Sequence, residues 1–274
     1  VDNVITQGLT VNKWTANGFS GQAEYVGAQS SVSLNVQSFR WNYLNNNQGP
    51  SRDRLINQVG LTFSRNVTGK MSLVAYAGAL QSIYDQNKNL DNVIYTISGG
   101  GTWNLGDVTS GDIQVGYQNV QFSLAQVNQP PPLSQFTRGK DAYSNFYFMG
   151  NLNWRPTPLL RITLQPYRAI QQTVTTGSLF FTVTGMNLTA RHDLTDRTTL
   201  NLNLGIEQDE FQTSSSGGTN GRTDNLKNIA VGVNYQAVKW IGLGAQYIFE
   251  DRHSTQTQFT FHANTFMLSA QTLF

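Results

Sequence analysis

The chain has 274 residues, of which 12% are charged, with a formal net charge of +2 and no cysteine. An average soluble domain carries roughly 25% charged residues, so the deficit is large, while the net charge is too small to recommend nucleic acid as a partner. Disulfides and thiolate metal sites are excluded, and no apolar run approaches the roughly 18 residues of a membrane helix.

Asn, Gln, Ser, Thr and Gly fill the place of the missing charges, and the apolar fraction, 39%, is itself low. That composition fits a soluble all-β sandwich, or a barrel with lipid outside and water inside. The chain begins at Val1 without a signal peptide, as a trimmed or processed protein would.

The hydrophobic pattern has a period of two along most of the chain, which predicts strands with no helix between them. Taken in order, the expected strands are 2–13, 18–27, 31–45, 54–66, 70–84, 92–104, 112–126, 142–154, 159–173, 179–191, 198–212, 224–236, 240–253 and 258–274. The first two alternate poorly. Leu55, Val59, Leu61 and Phe63 stand opposite Gln58, Gly60 and Thr62, and Phe146, Phe148, Leu152 and Trp154 stand opposite Tyr147, Asn151 and Asn153. Leu160, Ile162 and Leu164 alternate with Arg161, Thr163 and Gln165, and Leu200 to Ile206 alternate with Asn201, Asn203, Gly205 and Glu207. The last strand carries Phe266, Leu268, Ala270 and Phe274 on one face.

Two strands change phase midway. Val32, Leu34 and Val36 give way to Phe39, Trp41 and Tyr43, and Ile113, Val115 and Tyr117 give way to Val120, Phe122 and Leu124. Either a bulge sits there or the strand leaves a membrane band, where the in/out rule relaxes. Pro166 fits the same account, since proline cannot donate to a central ladder.

The connections alternate in length. Short ones are 67–69, 155–158, 192–197 and 237–239; long polar ones are 45–53, 85–90, 126–140 and 213–223. Short turns on one side and long loops on the other is the pattern of an outer-membrane barrel. The reading is therefore a single all-β domain over 1–274, a transmembrane antiparallel up-and-down β-barrel of about 14 strands (between about 12 and 16), with both termini on the short-turn side. Backbone groups in hydrocarbon must pair within the protein, so the terminal strand is expected to close on the first. With strands about 4.8 Å apart and tilted about 40°, the backbone radius is on the order of 14 Å, enough for a wet passage.

Alternation then assigns the faces. The candidate lumen-lining residues are Gln58, Asn153, Arg161, Gln165, Asn203, Glu207, Asp209, Asn234, Gln246, Glu250 and Arg252. The lipid-facing or girdle residues are Phe63, Trp154, Tyr235, Tyr247, Phe249, Phe266, Leu268 and Phe274. Trp41, Tyr43, Tyr84 and Phe211, near the long loops, read as girdle before they read as a sugar-stacking platform. Gly99–Gly101 precedes neither a helix nor a G-K-[ST], so it reads as close strand packing, not as a phosphate loop. His192, His253 and His262 lack metal spacing, and the neighbours His253 and Ser254 point to opposite faces of a strand. No catalytic residue, cofactor or metal is expected.

The second half carries F-Y-F-M-G-N-L-N-W-R-P-T-P-L-L-R, L-T-A-R-H-D-L-T-D-R-T-T-L and V-G-V-N-Y-Q-A-V-K-W-I-G-L-G-A-Q-Y-I-F-E-D-R, with a terminal Phe. Over about 142–274 it resembles the putative β-barrel porin type 2 family. That resemblance implies a non-enzymatic barrel of the Gram-negative outer membrane, with a terminal aromatic of the kind barrel-assembly machinery reads. It further implies an exported polysaccharide as cargo, periplasmic export partners, and lipid and lipopolysaccharide around the wall. A general diffusion porin for small polar solutes and a structural barrel anchoring a partner are the alternatives.

Overall fold

A computed structural model describes residues 13–44, 52–122, 142–173, 178–213 and 221–272. They form one antiparallel sheet of thirteen strands. In chain order these are β1 (Trp14–Val26), β2 (Ser30–Tyr43), β3 (Arg54–Thr68), β4 (Met71–Tyr84), β5 (Asn92–Asn104), β6 (Thr109–Phe122) and β7 (Ala142–Thr157). There follow β8 (Leu160–Gln172), β9 (Ser178–Thr195), β10 (Thr198–Thr213), β11 (Thr223–Val238), β12 (Ile241–Ser254) and β13 (Phe261–Thr272). Each strand pairs with its neighbours in sequence, which is the up-and-down architecture the period of two implies.

Thirteen of the fourteen expected strands are found among the described residues, and these leave the sheet open. The expected strand 2–13 and the terminal Phe274 lie outside the described residues. Among those described, β13 pairs with β12 alone and the sheet is open between β1 and β13. β13 ends on the short-turn side, whereas β1 begins at Trp14 opposite Tyr43, on the side of the long connections. The strands also run further into the short turns than the sequence implied. Arg155–Thr157 and His192–Thr195 are strand, leaving 158–159 and 196–197 as the turns. Register shifts at Trp154/Thr157 and Thr198/Thr199 absorb the residues that Pro and Asp had marked as loop.

The two faces of the sheet are chemically distinct. Leu34, Leu61 and Ala77 stand side by side on one face, as do Leu202, Val231 and Tyr247. The same face exposes Phe63, Trp154, Tyr235, Phe266 and Leu268. Leu268 is 88% exposed, and an apolar surface continuous around the wall far exceeds the few hundred Å² that soluble monomers tolerate. Hydrocarbon is the solvent that satisfies it. On the other face, contacts skip strands: Tyr167 on β8 donates to Glu207 on β10 at 2.5 Å. The sheet therefore curves toward its polar face.

Near the long connections the polarity of the two faces exchanges. Above Val36, Val59 and Ala79, the outer face presents Ser38, Asn57 and Gln81, linked by hydrogen bonds of 2.8 and 3.3 Å. Further out, Arg40 pairs with Asp85. Phe39 and Trp41 turn to the concave face at the same level. Neither the β1–β2 nor the β2–β3 register is interrupted, so the phase change marks the strand leaving the apolar band and not a bulge. In β6 the sequence likewise passes from exposed Tyr117 to buried Val120 without a register shift. Gly100 and Gly116 make the closest backbone approaches in this region: a Cβ on Gly100 would lie 1.8 Å from the Ile113 carbonyl oxygen. Close packing accounts for Gly100, while Gly99 has room for a Cβ.

Val231→Arg, in the middle of the outer band, is expected to cost about 2–4 kcal/mol of folding stability in a bilayer. Asn203→Arg, on the concave face, should cost well under half of that; denaturant titration in lipid vesicles compares them.

Candidate functional site on the concave face

The register places every sequence-predicted lining residue on the concave, polar face. Arg161, Asn153, Asn203, Asn234 and Gln246 lie toward the short turns; Gln165 and Gln58 lie midway; Glu207, Asp209, Glu250 and Arg252 lie toward the long connections. Arg161, Asn203 and Gln246 share a cavity of about 230 Å³ with Thr163, Thr189, Arg191 and Asn201. Thr163 donates to Asn153 at 2.9 Å. This cavity is a hydrogen-bonding surface of amides and hydroxyls with Arg161 and Arg191 among them.

The charged residues converge higher up, around Asp224, which sits opposite Asp209 in the β10–β11 pair. Asp224 is completely buried and accepts from Arg252 Nε at 3.0 Å and from Arg222 Nη2 at 3.1 Å. The Arg222 guanidinium lies between the rings of Phe211 and Phe259, 3.7 and 4.0 Å from their centroids. Facing carboxylates repel, and the two arginines offset that repulsion where solvent cannot. Among the described residues, Asp209 Oδ1 and Asp224 Oδ1 have no hydrogen-bond partner. In the connection after β4, outside the spanning strands, burial raises the pKa of Asp91 above its ordinary value, although Asp91 accepts from the Tyr84 N–H at 2.6 Å.

Above this level the wall splits between β7 and β8. Their pairing passes over Pro166, which has no N–H to give, and ends at Phe148–Arg168. Beyond that point the upper β8–β9 hairpin tucks beneath the neighbouring wall. Its outer face, carrying Arg168, Ile170, Gln172, Phe180 and Thr182, packs on the concave face of β4–β7. The Ile170 N–H donates to Gln118 at 2.7 Å, and Gln172 donates to Ser82, four strands away. Asn145 donates to Thr182 at 2.9 Å. Ile94, Val120, Ile170 and Phe180 form the buried apolar cluster between the layers, flanked by Phe122 and Tyr143. The Tyr143 and Phe180 ring centroids are 4.9 Å apart. At about 1.5–3 kcal/mol per fully buried apolar side chain, the cluster is strong enough to hold the hairpin in place.

Tyr84 and Phe211 are 1% and 5% exposed on the concave face, so they are neither lipid girdle nor an open platform. Phe211 stacks on Phe181, 5.0 Å away. Alternation did not point to Arg222 or Asp224, because they sit at a strand end beside a long loop. Nor did it point to the tucked hairpin, whose outer face obeys the ordinary alternation and is buried only through tertiary contact.

The family model described as Putative beta-barrel porin 2 matches residues 29–273. Among solved structures, OmpT, an outer membrane protein of Vibrio cholerae folded in vitro, aligns over 97% of this chain and 99% of its own, with 13% identity and a TM-score of 0.39. The outer membrane channel DcaP of Acinetobacter baumannii aligns over 95% and 84%, with 9% identity and a TM-score of 0.49. The copper transporter OprC aligns over 92% of this chain and 47% of its own, with 10% identity and a TM-score of 0.50. At such identities the likeness concerns fold alone. No curated protein is significantly similar to the sequence.

Asp224→Ala would leave buried Arg222 and partly buried Arg252 without their common partner. A loss of about 3–5 kcal/mol of stability is expected, read by urea unfolding of the reconstituted protein at neutral pH.

Proposed function

The chain belongs to the Putative beta-barrel porin 2 family, barrels of the bacterial outer membrane, and on that premise we propose that it is a conduit for an uncharged polysaccharide. The observation that carries this reading is the cavity on the lower concave face, where the amides and hydroxyls of Thr163, Thr189, Asn201, Asn203 and Gln246 outnumber the charges of Arg161 and Arg191. Groups of that kind exchange hydrogen bonds with a hydroxylated chain at many weak points. Such a surface favours sliding over capture, because no single contact is strong enough to arrest the solute. The apolar cluster under the β8–β9 hairpin narrows the upper passage, so the resting conductance is low. On this reading the outer band meets lipid and lipopolysaccharide, and a periplasmic export partner delivers the chain to the short-turn side.

Single-channel recording in planar bilayers tests the proposal. Small, stable conductance steps are expected, blocked by neutral oligosaccharides for times that lengthen with chain length. Conductance that sugars leave untouched, with free passage of small solutes in vesicle swelling, would instead mark a general diffusion porin. A silent barrel would mark a structural role. Replacing Ile170 and Phe180 together by Ser should raise the open conductance severalfold, since it removes the apolar contacts that hold the hairpin inward.

A further inference from the structure

A second cavity, of about 340 Å³, lies on the concave face just below the tucked hairpin. It falls at the low end of the roughly 300–1,000 Å³ seen for small-ligand sites. Its walls come from β3 to β8, and none of its lining residues is charged; they include Gln58, Tyr76, Gln114, Gln118, Tyr147 and Ile170. Ile170, on β8 of the tucked hairpin, belongs also to the apolar cluster that roofs it.

Tyr76 has an unusual seat. Gly60 and Gly78 face each other in the β3–β4 register, and the hydroxyl end of the Tyr76 ring lies close to both. A Cβ on Gly60 would be 3.0 Å from Tyr76 Cε2, and one on Gly78 would be 2.2 Å from the Tyr76 hydroxyl. Any larger residue at either position would lift the ring. The two glycines thus leave the space that the outer end of the Tyr76 ring occupies, and Tyr76 lines the cavity.

The amides nearby are arranged as donors and acceptors. Gln118 is committed: its Oε1 accepts from the Ile170 N–H and its Nε2 donates to Thr96 at 3.0 Å. Gln114 accepts from Ser98 at 3.1 Å through its carbonyl oxygen, which leaves its N–H groups to offer. Gln58 has neither amide atom engaged among the described residues.

We propose that Tyr76 and the amides of Gln58 and Gln114 form a binding subsite for one pyranose unit of a neutral glycan, stacked by its C–H face on the tyrosine ring. The electron-rich ring face attracts polarised C–H bonds, and the amides take hydroxyl groups at the ring's edge. A charged ligand would find no counter-ion here, and a wholly apolar one would strand the amides. The proposal deepens the conduit reading by locating a step at which the cargo pauses below the constriction.

The test combines two readouts on the full chain, with maltohexaose and cellohexaose as probes. Calorimetry in detergent micelles measures binding without requiring an open pore, and bilayer recording measures block. Tyr76→Ala should weaken binding of the better probe about fivefold to tenfold and shorten the blocks to match. Tyr76→Phe should retain binding within about twofold, because the π-face remains. Gly78→Ala keeps Tyr76 but tilts its ring off the wall, and should mimic Tyr76→Ala; circular dichroism checks that each variant is folded. Binding in micelles that Tyr76→Ala removes, from a barrel that never conducts, would sustain the subsite and sink the conduit. A conducting barrel that binds neither sugar, or binds equally well without Tyr76, would overturn the subsite and leave the conduit standing.

Discussion

Each strand of this sheet passes through two solvents, and the structure follows from that constraint. Within the band, the outer face meets hydrocarbon and must be apolar, while the concave face is wet. Toward the long connections the outer face meets water, and Ser38, Asn57 and Gln81 replace the Val36, Val59 and Ala79 row directly beneath them. Inside, the order reverses: the amides of the lower half give way to Phe39, Trp41, Val120 and Phe180. The upper part of the barrel is therefore built like a soluble protein, with an apolar core of its own.

That upper core requires something to pack against the concave wall, and the β8–β9 hairpin supplies it. Pro166 interrupts the β7–β8 ladder just before Phe148–Arg168, the last pair before the hairpin parts from its neighbour. The loss of a few wall hydrogen bonds is offset by the burial of Ile170 and Phe180 and by new bonds to Gln118, Ser82 and Asn145. The concave face, polar in its lower half, thus carries an apolar cluster above. The buried Arg222–Asp224–Arg252 cluster secures the rim between β10 and β12 at nearly the same height.

The chemistry of the passage follows from the same division. The paired Arg222, Asp224 and Arg252 gather near the long connections, Arg161 and Arg191 stand among amides and hydroxyls below, and the lining of the cavity beneath the hairpin is wholly neutral.

The period of two in Leu200–Ile206 or Leu243–Phe249 is enough to determine strand, face and membrane environment from sequence, because alternation is a local property of an extended chain. Connection lengths determined which end carries the long loops, and the turn motifs after Trp154 and around Asp193 pointed to the family. The phase changes at Val36–Phe39 and Tyr117–Val120 were visible too, but their cause was not, since a bulge and a change of solvent leave the same trace. Only the tertiary structure decided that the β8–β9 hairpin tucks inward. It also decided that Tyr84 and Phe211 are core and not girdle, and that the hydroxyl end of Tyr76 lies close to Gly60 and Gly78. In each case the deciding contact joins residues on separate strands, and alternation within one strand holds no record of what lies across the barrel.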